Sequence, residues 1–261
     1  MAGPKTFVGV SGKAKQVKNV YAGVSGKARK VKKIYAGVSG KARLVYSADW
    51  WTPSGVAQSN CLAAYRFKGA SSLTAANTDL SGHGYNLSAS SSQWTSADGL
   101  VGTTSIALPS ALHTAISNLH TGVNFTALSV VIRWKVGTNA VMITSGKNNQ
   151  GDSFSLQISL TDGYSGKVKL FATNNSAMAI STSSYTVVNT YHTFGFSANS
   201  SGYTLYVDGN SVAASSSTAS TSYAGVGVNN GVCPVTQSLA IFSCTLNAQQ
   251  QKDVHTSMIS F

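Results

Sequence analysis

A 14-residue repeat at the start of the chain constrains its fold more than any other feature. A Gly-Val-Ser-Gly-Lys-Ala motif recurs in three heptapeptides that begin at Val8, Ala22 and Ala36, so each copy starts 14 residues after the one before. The Ser-Gly pair in each copy favours a tight turn between residues that can pair as strands. Glycine and β-branched residues recur too densely for a stable helix. The repeat therefore predicts three β-hairpins.

Such hairpins need a partner, because a 14-residue unit cannot bury a core of its own. We therefore interpret residues 1–47 as a basic anchoring arm that is stabilised by stacking on itself, on other copies or on a larger particle. Residues 48–60, which include Trp50-Trp51 and a Pro-Ser-Gly break, are predicted to be a linker, and residues 61–261 a single domain. The positions assigned to anchoring are Val10, Gly12, Lys13, Val24, Gly26, Lys27, Val38, Gly40 and Lys41.

The charge of the chain is concentrated in this arm. Residues 1–46 carry eleven of the 19 Lys and Arg side chains and no acidic residue, whereas the remaining residues hold eight basic and seven acidic side chains. This asymmetry is typical of a segment that binds an acidic or nucleic-acid partner. No known nucleic-acid motif accompanies it, so nucleic-acid binding is the weaker interpretation. A solvated cationic tail and an assembly anchor remain as alternatives, and the strict repetition favours the anchor.

A resemblance strengthens the anchor interpretation. Over residues 7–46 the pattern Val-Gly-Val-Ser-Gly-Lys-Ala-Arg-x-Val-Lys-Lys-Ile-Tyr resembles the short basic repeats at the N-termini of structural proteins of tailed bacteriophages. The resemblance implies a virion protein, such as a head fibre, a tail fibre or a decoration protein, that is made in the host cytoplasm. It also implies that other virion proteins bind the arm, and that the chain forms a homo-oligomer, with a trimer favoured.

The rest of the chain is predicted to consist of β-strands. Apolar residues alternate with mostly polar ones over residues 128–136 and 153–160, which indicates strands with one buried face. Asp208-Gly209 between two such runs predicts a hairpin turn. More than eight strands separated by turns indicate a β-sandwich or barrel.

One helix is expected at the end of the chain. Asn247 can cap it, and Gln250 three residues later completes a capping box. Val254, Met258 and Ile259 supply its apolar side.

The order of these elements resembles the concanavalin A-like lectin/glucanase superfamily in its laminin-G-like branch. The loop 79–87 and the hairpin 203–210 carry the resemblance best. Where that family commonly has Trp-His-His, this chain has Thr190-Tyr191-His192, which we interpret as a tolerated variation. The predicted fold class is therefore all-β: an N-terminal β-hairpin repeat arm followed by a concanavalin A-like jelly-roll β-sandwich with one short C-terminal helix.

The sequence lacks the pair of carboxylic residues that a glycosidase needs. Glycosidases use two close carboxylates, and the glucanase branch presents them as glutamates on one strand. This chain has no glutamate, and its seven aspartates do not pair on one strand face. The five histidines lie in unrelated sequence contexts, and no Gly-x-Ser-x-Gly nucleophile elbow is present. We therefore predict no catalytic residues and no enzyme activity, so a polysaccharide depolymerase is the least favoured alternative.

Binding is the favoured function. The resemblance implies that Asn and Asp side chains on loops hold sugars, with calcium as a possible additional ligand and no other cofactor. An ordinary polar turn is the alternative at each loop, and Trp94, Tyr164, Tyr185 and Tyr223 are candidate aromatic platforms. The candidate glycan or calcium ligands are Asn148, Asn149, Asp152, Asn174, Asn175, Asn229 and Asn230.

The sequence thus predicts a virion protein that adheres to bacterial surface glycans. The alternative is a purely architectural protein that binds no sugar. No run of about 18 apolar residues is present, so no membrane span is expected. The three cysteines lack metal-ligand spacing and are expected to be reduced thiols that are mostly buried.

Overall fold

The computed structural model describes the strands of the arm and most of the body. In the arm these are residues 7–10, 13–16, 21–24, 27–30, 33–38 and 41–47. Beyond the arm they are residues 51, 53–101, 106–121, 124–125, 127–135, 140–145, 155–158, 167–172, 176–184, 190–215, 226–228 and 235–260.

The arm forms three separate antiparallel hairpins, as the repeat predicts. Their strands are β1 Phe7–Val10, β2 Lys13–Gln16, β3 Tyr21–Val24, β4 Lys27–Lys30, β5 Lys33–Val38 and β6 Lys41–Ser47. In each hairpin the valine before the Ser-Gly pair is the register partner of the lysine after it: Val10 with Lys13, Val24 with Lys27, and Val38 with Lys41. The three Ser-Gly pairs, including Gly12, Gly26 and Gly40, lie outside the described residues.

The body contains sixteen further strands in the described ranges. They are β7 Cys61–Arg66, β8 Trp94–Thr95, β9 Gly99–Val101, β10 Ile106–Ala107, β11 His120–Thr121, β12 Asn124–Phe125, β13 Ala127–Lys135, β14 Ala140–Ser145, β15 Ser155–Ile158, β16 Lys167–Ala172, β17 Ser176–Ser184, β18 Tyr191–Asn199, β19 Gly202–Val207, β20 Asn210–Ser215, β21 Val226–Val228 and β22 Val235–Phe242. The helices are α1 Leu73–Asn77, α2 Ser110–Ser117 and α3 Ala248–Met258.

Two large antiparallel sheets contain fourteen of these strands, and β11 and β12 form a separate two-stranded sheet. One sheet has eight strands in the order β20-β19-β18-β13-β22-β9-β8, and β7 pairs with β22 beside this path. The other has six strands in the order β10-β21-β14-β15-β16-β17. The all-β jelly-roll sandwich that the sequence predicts is thus confirmed, together with its C-terminal helix.

The eight-stranded sheet is buried on both faces at its centre, which the strand pattern did not predict. On β13, Leu128, Ile132 and Trp134 belong to the main core, which also contains Leu112 of α2. Val131 belongs to a second core on the opposite face. The expectation of one buried face was therefore wrong for β13, because α3 covers the other face.

Helix α3 closes this second core. Asn247 Oδ1 accepts a hydrogen bond from Gln250 N at 2.9 Å, and Gln250 Oε1 accepts one from Asn247 N at 2.9 Å, which confirms the capping box. Val254 and Met258 are buried against the sheet. Ile259 follows the end of the helix and remains 47% exposed, so its assignment to the apolar side was wrong.

The segment before β7 also packs on α3. Trp51 is buried in the second core. Asp253 Oδ2 accepts a hydrogen bond from Ser54 N at 2.8 Å, and Gln250 Nε2 donates one to Ser54 O at 3.1 Å. Trp51 thus fills a gap between elements.

The hairpin between β19 and β20 has the turn that its sequence predicts. Asp208 and Gly209 both adopt positive φ angles, of 49° and 77°, as tight two-residue hairpin loops require. Val207 is the register partner of Asn210.

Two described cysteines are free: Cys61 is buried and Cys244 half-buried, and burial raises the pKa of the Cys61 thiol. Within the described ranges, no helix has the length and hydropathy needed to cross a membrane.

Candidate functional site

Most of the site residues named from the sequence lie outside the described residues. This holds for the loop residues Asn148, Asn149, Asp152, Asn174, Asn175, Asn229 and Asn230, so their assignment stays a prediction. Among the candidate aromatic platforms, Trp94 is described: its Nε1 donates to Phe67 O at 2.7 Å, and its ring packs on the main core. Trp94 therefore has a structural function at least in part.

The loop 79–87 is held by hydrogen bonds of Asp79 and Asn86. Asp79 Oδ1 accepts from Ala64 N at 3.0 Å and from Ser81 N at 2.9 Å, and Asp79 Oδ2 accepts from Ser81 Oγ and Tyr85 N. Asn86 Oδ1 accepts from Asp79 N at 2.9 Å. Because both oxygens of Asp79 are occupied, this carboxylate stabilises the loop and is not available to a ligand.

The candidate binding site is an open groove at the N-terminal end of α3. Its volume is about 470 Å³, and it lies between the β18–β19 hairpin and the segment that leads into the helix. The side chains that line it are mostly small and polar, and they include Ser197, Asn199, Ser201, Thr204, Tyr206, Thr245 and Asn247. A groove of this size is in the range of small-ligand sites.

The floor of the groove is fixed by a buried polar network. Ser197 Oγ donates to Leu246 O at 2.7 Å, and Leu246 N donates to Ser129 Oγ at 2.9 Å. Gln251 Nε2 donates to Ser197 Oγ at 3.0 Å. These bonds tie β13, β18 and α3 together beneath the groove, so its floor is rigid before any ligand arrives.

Some hydrogen-bonding groups of the exposed side chains at the rim have no partner among the described residues. Asn199 Oδ1 accepts from Ser201 N at 2.8 Å. The Nδ2 groups of Asn199 and Asn247 and the hydroxyl of Ser201 have no protein partner among the described residues. Tyr206 is buried at the floor, and burial raises its pKa, although Thr204 and Ser197 oppose part of this rise. The rim of the groove thus offers hydrogen-bond donors and acceptors, and two buried tyrosines, Tyr203 and Tyr206, line it.

A second polar cluster lies at the other end of α3 and corrects the interpretation of the histidines. His192 Nδ1 is 2.7 Å from Asp208 Oδ2, and His255 Nδ1 is 3.7 Å from Asp208 Oδ1. His255 Nδ1 also lies 2.9 Å from Thr193 Oγ1. The two histidines lie in unrelated sequence contexts, but β18 and α3 bring both to one carboxylate.

The cluster around Asp208 is half-buried, and the pKa values of Asp208 and His255 are both lowered. Asp208 is desolvated, which raises its pKa, but the hydrogen bonds from His192 and Thr193 N outweigh this effect, so the pKa is lowered. Burial lowers the pKa of His255, and Asp208 opposes this shift. Thr193 is only 2% exposed, so its hydroxyl is not accessible as a nucleophile.

Metal binding finds no support in the described part of the chain. No three His, Cys, Asp or Glu side chains come together there in a group that could hold a metal ion. The loops that could hold calcium lie outside it.

Comparisons with known proteins agree on the fold. No protein-family model matches the sequence, and no curated protein matches it. The receptor-binding domain of botulinum neurotoxin D matches with a TM-score of 0.57 at 12% identity, over 78% of this chain and 54% of that one. Trypanosoma rangeli sialidase in complex with 2,3-difluorosialic acid matches with a TM-score of 0.57 at 10% identity, over 79% of this chain and 35% of that one.

A smaller protein matches over nearly its whole length. Domain 4 of AbnA, an extracellular arabinanase from Geobacillus stearothermophilus solved in complex with arabinotriose, has a TM-score of 0.50 at 14% identity, over 75% of this chain and 98% of that one. By contrast, the chain spans little more than half the length of the neurotoxin domains. At these identities the matches show a shared jelly-roll β-sandwich fold and no more.

Proposed function

We propose that the protein is a structural component of a bacteriophage virion, anchored by its N-terminal hairpins and binding host-surface glycans with its jelly-roll body. The observation that carries the binding part is the polar groove at the N-terminal end of α3. Proteins with the same fold support it: the arabinanase domain is in complex with arabinotriose, and cell entry of botulinum neurotoxin type C depends on interaction with two ganglioside molecules.

The lining of the groove suits a neutral or weakly charged sugar. Sugar hydroxyls both donate and accept hydrogen bonds, and the amides of Asn199 and Asn247 and the hydroxyl of Ser201 can complement them. Tyr206 is buried at the floor, so the exposed polar groups of the rim make the contacts with the sugar.

The same lining supports binding without hydrolysis. Glycosidases place two carboxylic side chains around the bond that they cleave. The described residues that line the groove include no aspartate, glutamate or histidine. A sugar bound there would meet no general acid and no nucleophile, so a depolymerase reaction has no support at this site.

The arm supports the anchoring part. The three hairpins share the Gly-Val-Ser-Gly-Lys-Ala motif and pair their strands in the same register around it. In the described sheets, none of them pairs with a strand of the body. Hairpins of this length become stable by packing on a partner. A virion surface with acidic character is the partner that we propose, since the arm carries nearly all of the net charge.

A glycan array with the full chain tests the binding part. Ala214 is exposed and lines the groove, so Ala214→Trp fills the groove without removing a hydrogen bond. Ala111 is equally exposed on α2, so Ala111→Trp is the matched control. We expect Ala214→Trp to weaken glycan binding at least about tenfold and Ala111→Trp to leave it unchanged.

The array also separates the alternatives. Equal binding by both variants would place the glycan site outside the groove. Absence of binding by the unmodified chain, with and without calcium, would favour a purely architectural function.

Charge reversal tests the anchoring part. The triple variant Lys13→Glu, Lys27→Glu and Lys41→Glu alters one equivalent register position in each hairpin. We expect it to retain glycan binding but to be absent from virions after density-gradient sedimentation. Normal incorporation of this variant into particles would contradict an anchor that depends on charge.

A further inference from the structure

We propose that a second ligand site, specific for a carboxylated sugar such as a hexuronic acid, lies on the eight-stranded sheet beyond the C-terminal end of α3, with Arg133 binding the carboxylate. We call the residues Arg133, Lys135, Tyr191 and Gln237 the cationic cluster. It shares no residue with the groove. It rests on the proposed function only in assuming that the body binds glycans.

Strand pairing brings the cationic cluster together. Arg133 and Lys135 lie two residues apart on β13 and therefore on the same face of the sheet. Their register partners on β18 are Thr193 and Tyr191. The Arg133 Cζ lies 5.7 Å, and the Lys135 Nζ 5.8 Å, from the centroid of the Tyr191 ring. Both cations are thus held beside one aromatic ring.

Neutral groups orient the guanidinium of Arg133. Its Nε donates to Gln237 Oε1 at 3.0 Å, and its Nη1 contacts Thr193 Oγ1 at 3.4 Å. Gln237 is itself 3% exposed, so it fixes the Nε side firmly. The edge formed by the two Nη groups retains donors for a ligand, and a guanidinium presents this edge to a carboxylate as a two-pronged fork.

The two cations of the cationic cluster form no direct ion pair with a described residue, although Asp208 lies near Arg133 and Asp98 near Tyr191. Neither Arg133 nor Lys135 forms a salt bridge with a described residue. Asp208 lies near enough to raise the pKa of Arg133, but burial outweighs this effect and lowers that pKa. The Asp208 oxygens are occupied by His192 and Thr193 N. A half-buried cation that forms no salt bridge is a favourable site for an anion.

A buried hydroxyl beside Arg133, on the neighbouring strand β22, has no partner among the described residues. Ser238 Oγ is fully buried and has no hydrogen-bond partner in the described structure. Ser238 is the register partner of Arg133 on one side and of Arg66 on the other. Since buried hydroxyls are normally satisfied, this end of the sheet has polar groups whose partners are not supplied by the described residues.

Two features favour a carboxylated sugar over a simple inorganic anion. The guanidinium fork matches the two oxygens of a carboxylate, and Tyr191 offers an apolar ring surface that an inorganic anion cannot use. Lys135 adds a second charge within reach of the same ligand. The half-exposed positions of Arg133, Lys135 and Tyr191 leave them accessible from solvent.

Monosaccharide probes test the proposal, because a single negative charge limits binding by the basic arm. Methyl glucuronide carries the carboxylate, and methyl glucoside is the matched neutral probe. With the full chain, ligand-observed NMR titration should give about tenfold tighter binding of the glucuronide. Arg133→Gln should remove that difference, whereas Lys252→Gln, which removes an exposed cation on α3, should preserve it.

Two further variants distinguish a loss of binding from a folding defect. Lys135→Gln should weaken glucuronide binding several-fold while leaving the guanidinium in place. Arg133→Lys keeps the charge but loses the fork, so it should lose most of the preference for the glucuronide. Each variant is compared with the unmodified chain by thermal melting before titration.

The outcomes separate this site from the groove. Glucuronide binding that survives Arg133→Gln and Lys135→Gln, or equal affinity for both probes, would overturn the proposal. Loss of glucuronide binding in Ala214→Trp would move the sugar to the groove, which overturns the second site but supports the proposed function. Competition by inorganic phosphate at the affinity of the glucuronide would overturn the specificity for a sugar.

Discussion

The close contact between α3 and the centre of the eight-stranded sheet depends on Gly195. A β-carbon at this position would lie 2.7 Å from Gln251 Oε1 and 3.1 Å from Val130 O. Gln251 is 1% exposed, and its Nε2 donates to Ser197 Oγ at 3.0 Å. Gly195→Ala therefore forces this buried amide to move, because the backbone oxygen on the other side cannot retreat.

The expected cost follows from these contacts. Displacing the Gln251 amide breaks buried hydrogen bonds, which costs about 1–3 kcal/mol. Alanine is favoured over glycine within a strand by about 0.5–1 kcal/mol, which offsets part of that cost. We therefore expect Gly195→Ala to lower the free energy of unfolding by about 1–2 kcal/mol.

A double-mutant cycle with Gln251→Ala tests the reasoning by urea denaturation. With the Gln251 amide removed, the added methyl group has space, so Gly195→Ala should become neutral or slightly stabilising in that background. The expected coupling free energy is about 2 kcal/mol. Additive effects of the two substitutions would refute the assigned contact. As a control, an unchanged m-value in the urea titrations shows that the variants expose the same surface on unfolding.

Two further predictions concern the other end of α3. Because burial lowers the pKa of His255 below its ordinary value of 6.5, the unfolded chain takes up a proton more readily than the folded one. Stability should then fall as the pH drops through about 6.5. His255→Gln should reduce this fall in urea denaturation at several pH values, and an unaltered pH dependence would contradict the assignment. Gly209→Ala places a β-carbon at φ 77° and 2.6 Å from Lys252 Cα. It should cost about 2 kcal/mol or more by the same measurement, and a loss below about 0.5 kcal/mol would contradict the close approach of the helix.

Local signals predicted the local structure correctly. Asp208-Gly209 predicted its hairpin because few residues tolerate two consecutive positive φ angles. Asn247 and Gln250 predicted the start of α3 because a capping box involves only nearby residues. The short helices α1 and α2 were missed. For α1, the cap is the Ser72 side chain, which accepts from Ala75 N at 3.1 Å, but a five-residue helix shows too little periodicity to be recognised.

Contacts distant in sequence were not predictable in this way. The burial of Val131 depends on α3, which follows it by more than a hundred residues. The meeting of His192 and His255 at Asp208 likewise needs the pairing of β18 with β19 and the packing of α3. For the groove, Asn199 and Ser201 show only the composition of an ordinary turn, so the available signal could not distinguish a binding rim from a loop.

Helix α3 determines which part of this face of the eight-stranded sheet stays accessible. Along β18 it runs from the groove, where Gln251 bonds to Ser197, to the polar cluster, where His255 lies against Thr193. The helix thus buries the middle of this face and leaves polar side chains accessible at its two ends. The groove and the cationic cluster share no residue, so Ala214→Trp and Arg133→Gln should act additively on stability and on binding. A strong coupling between them would mean that one ligand spans the helix and contacts both ends.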